Sequence, residues 1–583
     1  MRRAGRRARR VGGALVALVL ASTGTTWAAG GEGRGADGAG TRAADEEAVL
    51  DGVDPGWLAL ARETLGDGDG WGSAGTGTTG GAAAAPHDVH VVRTWDELRA
   101  ALGGADAHRQ DVPRIVLVDG EIRAFGFDDP ASGLPTCDDF AAQVQVADDD
   151  PRPFSMAEYI ATYDPAVWGW DPPTGPLEEA RARAAAVQTA QVRQRVGSHV
   201  TILGIGDDAR IVGAHLLVQG VRDVIVRNLH LSDAYDCFPE WDPGDMSTGN
   251  WNSLYDNLSV HTTENVWVDH VTFDDGDHPP ASLPTVFGRP FEVHDGLLDI
   301  THESDLVTVS SCVFRDHDKT NLVGSGDGRG ALDGGRLRVT WRHNLWDDAG
   351  QRLPRVRFGD VDVYNNYVRV TAAGAGLFDY AWGVGVESSI WAERNVFDLP
   401  PDVRAASIVK RWGGTRLHAT ETLVNGVEVD VLAAYNDAAP EDARLAAGAR
   451  WDPVSAGVRG GPVHEVAEVR DVVLAEAGAG VLQPVIEEPG ATPSPGPTGP
   501  PEPTVPPGGG ADGAGGGGGG AGDGGAGGAD GGLTAWDDAT GPGGAGAGGL
   551  ATTGPRVLLA LVAAGLLLVG GGAVVVTRRR AGA

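Results

Sequence analysis

Six short stretches decide the fold: Val224-Ile225-Val226, Val266-Trp267-Val268, Val307-Thr308-Val309, Val339-Thr340-Trp341, Val361-Asp362-Val363 and Ile390-Trp391-Ala392. Each alternates, opens on a β-branched residue and has a further apolar residue four or five places on. Their starts follow one another at 42, 41, 32, 22 and 29 residues. So short a strand cannot bury its apolar face alone, and copies of it must stack. The shortest interval suits one turn of a parallel β-solenoid, and the longer ones add loops to a turn. A β-sandwich uses strands as short but needs hairpin dipeptides between them, which are scarce here. Asn and His recur after the strands instead, at Asn228, His270, Asn344, Asn365 and Asn366. Inward amides at a corner of the coil satisfy one another and the buried backbone, and His270 is read as structural in the same way.

Upstream of the repeats, Thr94-Trp95-Asp96-Glu97 has capping-box spacing, and Trp95, Leu98 and Leu102 share a helical face. This capping helix is expected to close the open end of the solenoid. A second helix, Pro176 to Arg195 with Gly197 just beyond it, falls in an insertion over 132–198. The body spans 86–488.

The chain has 583 residues, 42% of them hydrophobic, so it can bury a large core. Its 90 glycines and 35 prolines mean that some segments do not pack. Acids outnumber Lys and Arg by 80 to 46, and the charge of -34 excludes a nucleic acid held on a basic face. The cations are nearly all arginine, and the two lysines, Lys319 and Lys410, depart from that bias. Three cysteines without CxxC spacing argue against zinc.

Both ends read as addresses. An Arg-rich start, the small apolar run after Val11 and Thr26-Trp27-Ala28 form a signal peptide over 1–29. Residues 30–85 are low in complexity and expected to be poorly ordered, apart from a short helix near Pro55 to Leu65. A Pro-rich and then Gly-rich linker over 489–549 reads as a disordered stalk. Over 550–583, Leu550-Ala551-Thr552-Thr553-Gly554 resembles the LAxTG sorting signal that sortases of Gram-positive bacteria cut between Thr553 and Gly554. An apolar helix over 557–576, long enough to span a bilayer, and Arg578 to Arg580 follow it. The protein is therefore expected to be secreted and anchored to the cell wall or membrane on the outer surface, with sortase and peptidoglycan as partners. Secretion also favours pairing of Cys137 with Cys237, which flank the insertion, and leaves Cys312 as a buried free thiol. A monomer is expected.

Candidate chemistry gathers in the middle of the repeats. Asp295-Gly296-Leu297-Leu298-Asp299 sets two carboxylates around a glycine at the start of a strand, and Asp256 stands one turn earlier. Adjacent turns would join Asp256, Asp295 and Asp299 as oxygen ligands for a hard cation such as calcium. On spacing alone, a solvated acidic face reads as well. Lys319 and the arginines of Arg352-Leu353-Pro354-Arg355-Val356-Arg357 come next. Cations beside carboxylates make a bipolar site suited to a cation-bridged anionic sugar.

Asn265-Val266-Trp267-Val268-Asp269-His270, Asp295 to Asp299, Lys319 to Gly324 and Arg352 to Arg357 together resemble the pectate lyases of polysaccharide lyase family 1. The resemblance covers about 88–400. It implies an all-β, right-handed parallel β-helix that cleaves de-esterified polygalacturonate by β-elimination with Ca2+. It also implies that Asp256, Asp295 and Asp299 bind the metal, that Arg352 is the base, and that Lys319 and Arg357 hold substrate carboxylates. One position departs from the family pattern: Leu254 replaces an acid that some relatives carry two residues before Asp256. An arginine base needs a depressed pKa, and Lys319, Arg357 and a divalent cation are expected to push Arg352 that way. The competing readings are a pectin lyase acting on methyl esters, a polygalacturonase-type hydrolase using Asp274-Asp275, and a surface adhesin without turnover.

Overall fold

The computed structural model describes residues 54–245 and 247–484. The signal peptide, the linker, the sorting signal with Thr553 and Gly554, and the apolar helix over 557–576 lie outside them. Among the described residues, no helix is long and apolar enough to cross a membrane.

The body is a right-handed parallel β-helix. The six quoted stretches lie on strands Arg222–Arg227, Glu264–Asp269, Asp305–Ser310, Val339–Arg342, Asp360–Tyr364 and Ser389–Glu393. Their register is the one their sequences align in. Val224 pairs with Val266, Val266 with Val307, Val307 with Val339, Val339 with Val361, and Val361 with Ile390. All six are fully buried and stack through the core. This Val ladder is one of three strand columns. A second runs from His230–Ser232 through Thr272–Asp274, Val313–Arg315 and Leu345–Asp347 to Leu423–Val424. The third, here the site sheet, has eight parallel strands: Arg193–Val196, His215–Gln219, Leu258–His261, Leu298–Thr301, Leu322–Val323, Arg355–Val356, Trp382–Gly385 and Val409–Trp412.

The corner after the Val ladder uses two positions where the sequence suggests one. The first is a left-handed residue on every turn, at Asn228, His270, Ser311, His343, Asn365 and Arg394, with φ between 49° and 56°. The next residue points inward, and there Asn344, Asn366 and Asn395 form an amide ladder. Asn344 N–H donates to Asn366 Oδ1 at 2.9 Å, and Asn366 N–H to Asn395 Oδ1 at 3.0 Å. The expected inward stack therefore holds for Asn344 and Asn366. Asn228, His270 and Asn365 instead reverse the chain, a task that Asn tolerates through its short polar side chain.

Helix Trp95–Leu102 carries the Thr94/Glu97 capping box and packs on the first strands with Trp95, Leu98 and Leu102 buried. Helix Pro176–Val192 ends without Gly197, because residues 193–196 extend to pair with His215–Val218. Cys137 and Cys237 are bridged, and Cys312 is buried and free.

Residues 54–85 correct the expectation of a poorly ordered segment. Helix Pro55–Ala61 and the loop after it lie along the outside of the Val ladder. Thr308 and Thr340 hydroxyls accept the N–H groups of Gly72 and Trp71 at 2.9 and 3.0 Å, and Thr201 accepts that of Gly81 at 2.8 Å. The glycines that read as low complexity permit this approach. A Cβ on Gly81 would fall 2.0 Å from the Arg114 carbonyl oxygen.

Candidate active site

Alternation in the site sheet turns Leu298 and Ile300 inward and Asp299 outward, beside Ser259 on the preceding rung. Asp256 lies just before strand Leu258–His261, at the end of a loop that helix Pro176–Val192 buttresses. Gln188 Nε2 donates to the Tyr235 carbonyl at 2.8 Å, Arg181 to that of Phe238 at 2.9 Å, and the hydroxyls of Thr189 and Tyr255 meet at 2.8 Å. The insertion thus sets where Asp256 stands.

Asp256 and Asp299 face each other across Gly296. A Cβ there would lie 2.9 Å from Asp256 Oδ1 and 2.8 Å from Asp299 Oδ1. Gly296 N–H donates to Asp256 Oδ1 at 2.9 Å, the Ser259 hydroxyl donates to Asp256 Oδ2, and Leu322 N–H donates to Asp299 Oδ1 at 2.9 Å. Asp295 stands beside them with Lys319 Nζ 3.4 Å from its Oδ1. Burial and then the charge of Asp295 push the Asp256 carboxyl up to about 6. Burial, Asp256 and Asp295 push that of Asp299 well above the ordinary range. Among the described residues, no three or more acidic, His or Cys side chains are gathered closely enough to hold a metal ion as they stand. The donors are hard oxygens, and burial with like charge nearby disfavours ionisation of Asp256 and Asp299. That donor set fits a calcium ion that takes its remaining ligands from water or substrate.

The cations stand on the same face. Glu292 and Asp295, each 3.4 Å from Lys319 Nζ, outweigh burial and hold the ammonium charged above its ordinary pKa. Arg352 sits at φ 64° before the cis Leu353–Pro354 bond, and its Nε has no hydrogen-bond partner among the described residues. Its guanidinium departs from expectation. Burial works to lower its pKa, but Tyr380, Asp299, Asp295 and Asp318 overturn that and raise it. The acids around it set the sign. Arg357 Nε reaches Asp327 at 2.5 Å, and a terminal nitrogen reaches the Gly324 carbonyl at 2.8 Å. The structure therefore unites Asp256, Asp295, Asp299, Lys319 and Arg352, with Arg357 to one side on the same face.

A family model for pectate lyase matches residues 175–440. The chain is 37% identical over 424 residues to the pectate lyase of Bacillus subtilis (strain 168), across 73% of this chain and 94% of that protein. The chain belongs to the pectate lyase family. Among solved structures, the thermostable pectate lyase PL 47 superposes with TM-score 0.67 and 41% identity, over 73% of this chain and all of that one. A pectate lyase bound to hexasaccharide gives 0.65 and 36%, again over 73% and 100%.

This pectate lyase family member holds residues around its site that sequence reading passed over. Glu292 lies against Lys319, and a run of alternating acids and histidines supports Asp295 from behind. His317 Nε2 lies 3.1 Å from the Asp295 carbonyl oxygen and its Nδ1 2.8 Å from Asp275. His294 lies 3.5 Å from Asp275 and 2.9 Å from Asp233, and His278 is 2.8 Å from Asp233. The adjacent pair Asp274-Asp275 is the only one near the site that a hydrolase could use. Here Asp275 holds His317, while Asp274 binds Arg315 at 2.7 Å and His230 at 2.9 Å. Both are buried and already engaged by these partners. Leu254 is 45% exposed.

Proposed function

We propose that this polysaccharide lyase is a calcium-dependent pectate lyase that cleaves de-esterified polygalacturonate by β-elimination. The observation that carries the reading is the pairing of three mutually repelling carboxylates with Lys319 and Arg352 on one open face of the site sheet. Asp256, Asp295 and Asp299 would hold the calcium. When bound, it would neutralise them together with the C6 carboxylate of the sugar. Lys319 and the free donors of Arg357 would orient that carboxylate and stabilise the negative charge that builds on it. Arg352, in its neutral form, would take the proton from C5 as the C4–O bond breaks and the departing oxygen takes a proton from water, leaving a 4,5-unsaturated sugar at the new end. Neutralised acids no longer hold its guanidinium charged, so the base depends on a loaded site.

The test compares polygalacturonate with highly methylated pectin, each with calcium and with chelator. Ultraviolet-absorbing product from polygalacturonate with calcium alone supports the reading. Equal turnover under chelation, or saturated ends, would overturn it. We place the enzyme on the outer surface of a Gram-positive cell, where sortase joins Thr553 to peptidoglycan. Release of activity by wall digestion, but not by detergent, checks this location.

A further inference from the structure

An aspartate follows each of four successive strands in the second column, at Asp233, Asp275, Asp316 and Asp348. Asp348 is satisfied by a threonine, since the N–H and hydroxyl of Thr371 donate to it at 2.6 and 2.7 Å. On the two turns that carry the carboxylate loops, the same corner takes histidines instead. Asp233 opens the loop that ends on Asp256, and His278 and His294 of the next turn reach back to it at 2.8 and 2.9 Å. Asp275 opens the loop that ends on Asp295, and both its oxygens lie 2.8 Å from Nδ1 of His317, one turn further on. His294 also lies 3.5 Å from Asp275, so the pairs form one chain across three turns. Asp233, Asp275, His294 and His317 are buried, and His278 is half-buried at the surface end.

The inner end of this chain meets the backbone of a candidate metal ligand. His317 Nε2 lies 3.1 Å from the Asp295 carbonyl oxygen, which can only accept, so Nε2 donates. From the turn before, Asp295 N–H donates to the Tyr255 carbonyl at 3.0 Å and Asp236 N–H to that of Val293 at 2.7 Å. Asp295 is therefore gripped from both neighbouring turns. His317 also stands two residues before Lys319, whose Nζ is 3.4 Å from Asp295 Oδ1, so one ring ties the acid to the cation. A corner that is only scaffold does not need this, as Thr371 on Asp348 shows. Asp295 has Asp256 and Asp299 as neighbours, and like charge pushes it away from them until a cation arrives.

We propose that His317 and Asp275 are positioning residues that hold Asp295 where calcium takes it, braced from the preceding turn by Asp233, His278 and His294. Asp275 fixes the imidazole, and the imidazole fixes the Asp295 backbone against repulsion. Partners that orient a ligand from behind are worth roughly 10- to 100-fold in metal affinity.

The role rests on the reading of Asp256, Asp295 and Asp299 as a calcium site, and its test separates the two. Calcium binding is measured by calorimetry without substrate on the unaltered protein, His317→Ala, His317→Gln, Asp275→Asn and Asp348→Asn. Turnover of polygalacturonate is followed at limiting and saturating calcium. His317→Ala should bind calcium roughly 10- to 100-fold more weakly and recover kcat as calcium is raised. Glutamine can still donate to the Asp295 carbonyl and should restore part of the affinity, and Asp275→Asn should lose about tenfold. Asp348→Asn alters the same corner outside the chain of histidines and should leave calcium affinity unchanged. Unchanged affinity in His317→Ala, or in Asp275→Asn should the alanine variant not fold, would overturn the positioning role and leave the calcium site standing. An equal loss in Asp348→Asn would mark general loosening and overturn the role as well. An unaltered protein that binds no calcium would overturn both.

Discussion

Asp269 on the Val ladder and Asp299 on the site sheet are buried to similar depth, 2% and 7% exposed. The ladder gives Asp269 Arg227 at 2.9 Å, His270 at 2.8 Å and the Ser310 hydroxyl at 2.6 Å. Burial works to raise its pKa, but His270 and Arg227 overturn that and hold the carboxyl below the usual range. Asp299 receives Asp256 and Asp295 as neighbours, and Arg352 offsets them only in part. One coil thus treats the same residue type in two ways. Where the wall is only scaffold, each buried charge is matched within the protein and residues 54–85 cover the outer face. Where the wall is to work, charge is left for something else to complete.

The largest effect should come from withholding that completion. With divalent ions chelated, turnover of polygalacturonate should fall to background. Adding calcium should raise the melting temperature, by about 2.7 kcal/mol of stability when free calcium is a hundredfold above Kd. Arg352→Lys follows: kcat should fall by roughly 10²–10⁴-fold with the circular dichroism unchanged. Lysine keeps the charge but not the planar fork. A fully active lysine variant would remove Arg352 from the chemistry and with it the contrast between the faces.

Stability should divide the two aspartates the other way. Asp269→Asn leaves Arg227 buried, with Glu63 as its remaining acidic partner at 2.9 Å, and should destabilise by about 3 kcal/mol in denaturant unfolding. Asp256→Asn, under chelation at neutral pH, should instead stabilise, on the order of 2 kcal/mol. The sign follows from where each group titrates. Asp256 binds its proton more tightly folded than unfolded, so its contribution is full in acid and is lost as pH climbs from the ordinary carboxylate value through about 6. Asp269 is the reverse: its contribution is present above the ordinary value and lost as pH falls through its depressed folded pKa. The gain from Asp256→Asn should therefore be absent near pH 4 and appear by pH 7, and a difference that stays flat across that range would break the comparison.

Much of this was legible in the sequence because parallel stacking makes register a matter of alignment. Val224 to Ile390 pair as their repeats line up, and the same turns bring Asp256, Asp295 and Lys319 to one face. Spacing could not separate Asn365 from Asn366, because whether a corner residue reverses the chain or points inward depends on one backbone angle. Nor could composition tell a coil from a strap. The glycines of residues 54–85 would be equally at home in either, and only the threonines at 201, 308 and 340, remote in sequence, supply their acceptors. The direction in which the Arg352 pKa moves escaped for a related reason: it depends on how closely Tyr380, Asp299, Asp295 and Asp318 crowd the guanidinium, which spacing does not give.

The smallest effect expected isolates the scaffold face from the working one. Gly70 has φ 76°, and a Cβ there would lie 2.4 Å from Thr308 Oγ1 and 3.0 Å from the Thr340 Cβ. Gly70→Ala must therefore either strain the left-handed backbone or lift the strap from two rungs of the ladder, breaking the hydrogen bonds of Trp71 and Gly72. A loss of about 1–2 kcal/mol in unfolding is expected. The carboxylates and Arg352 belong to a different sheet with the packed core between, so kcat and KM should stay unchanged at temperatures where the variant is folded. If kcat fell along with stability, the strap would be setting the geometry of the working face through the core, and the two walls of the coil could no longer be treated as independent.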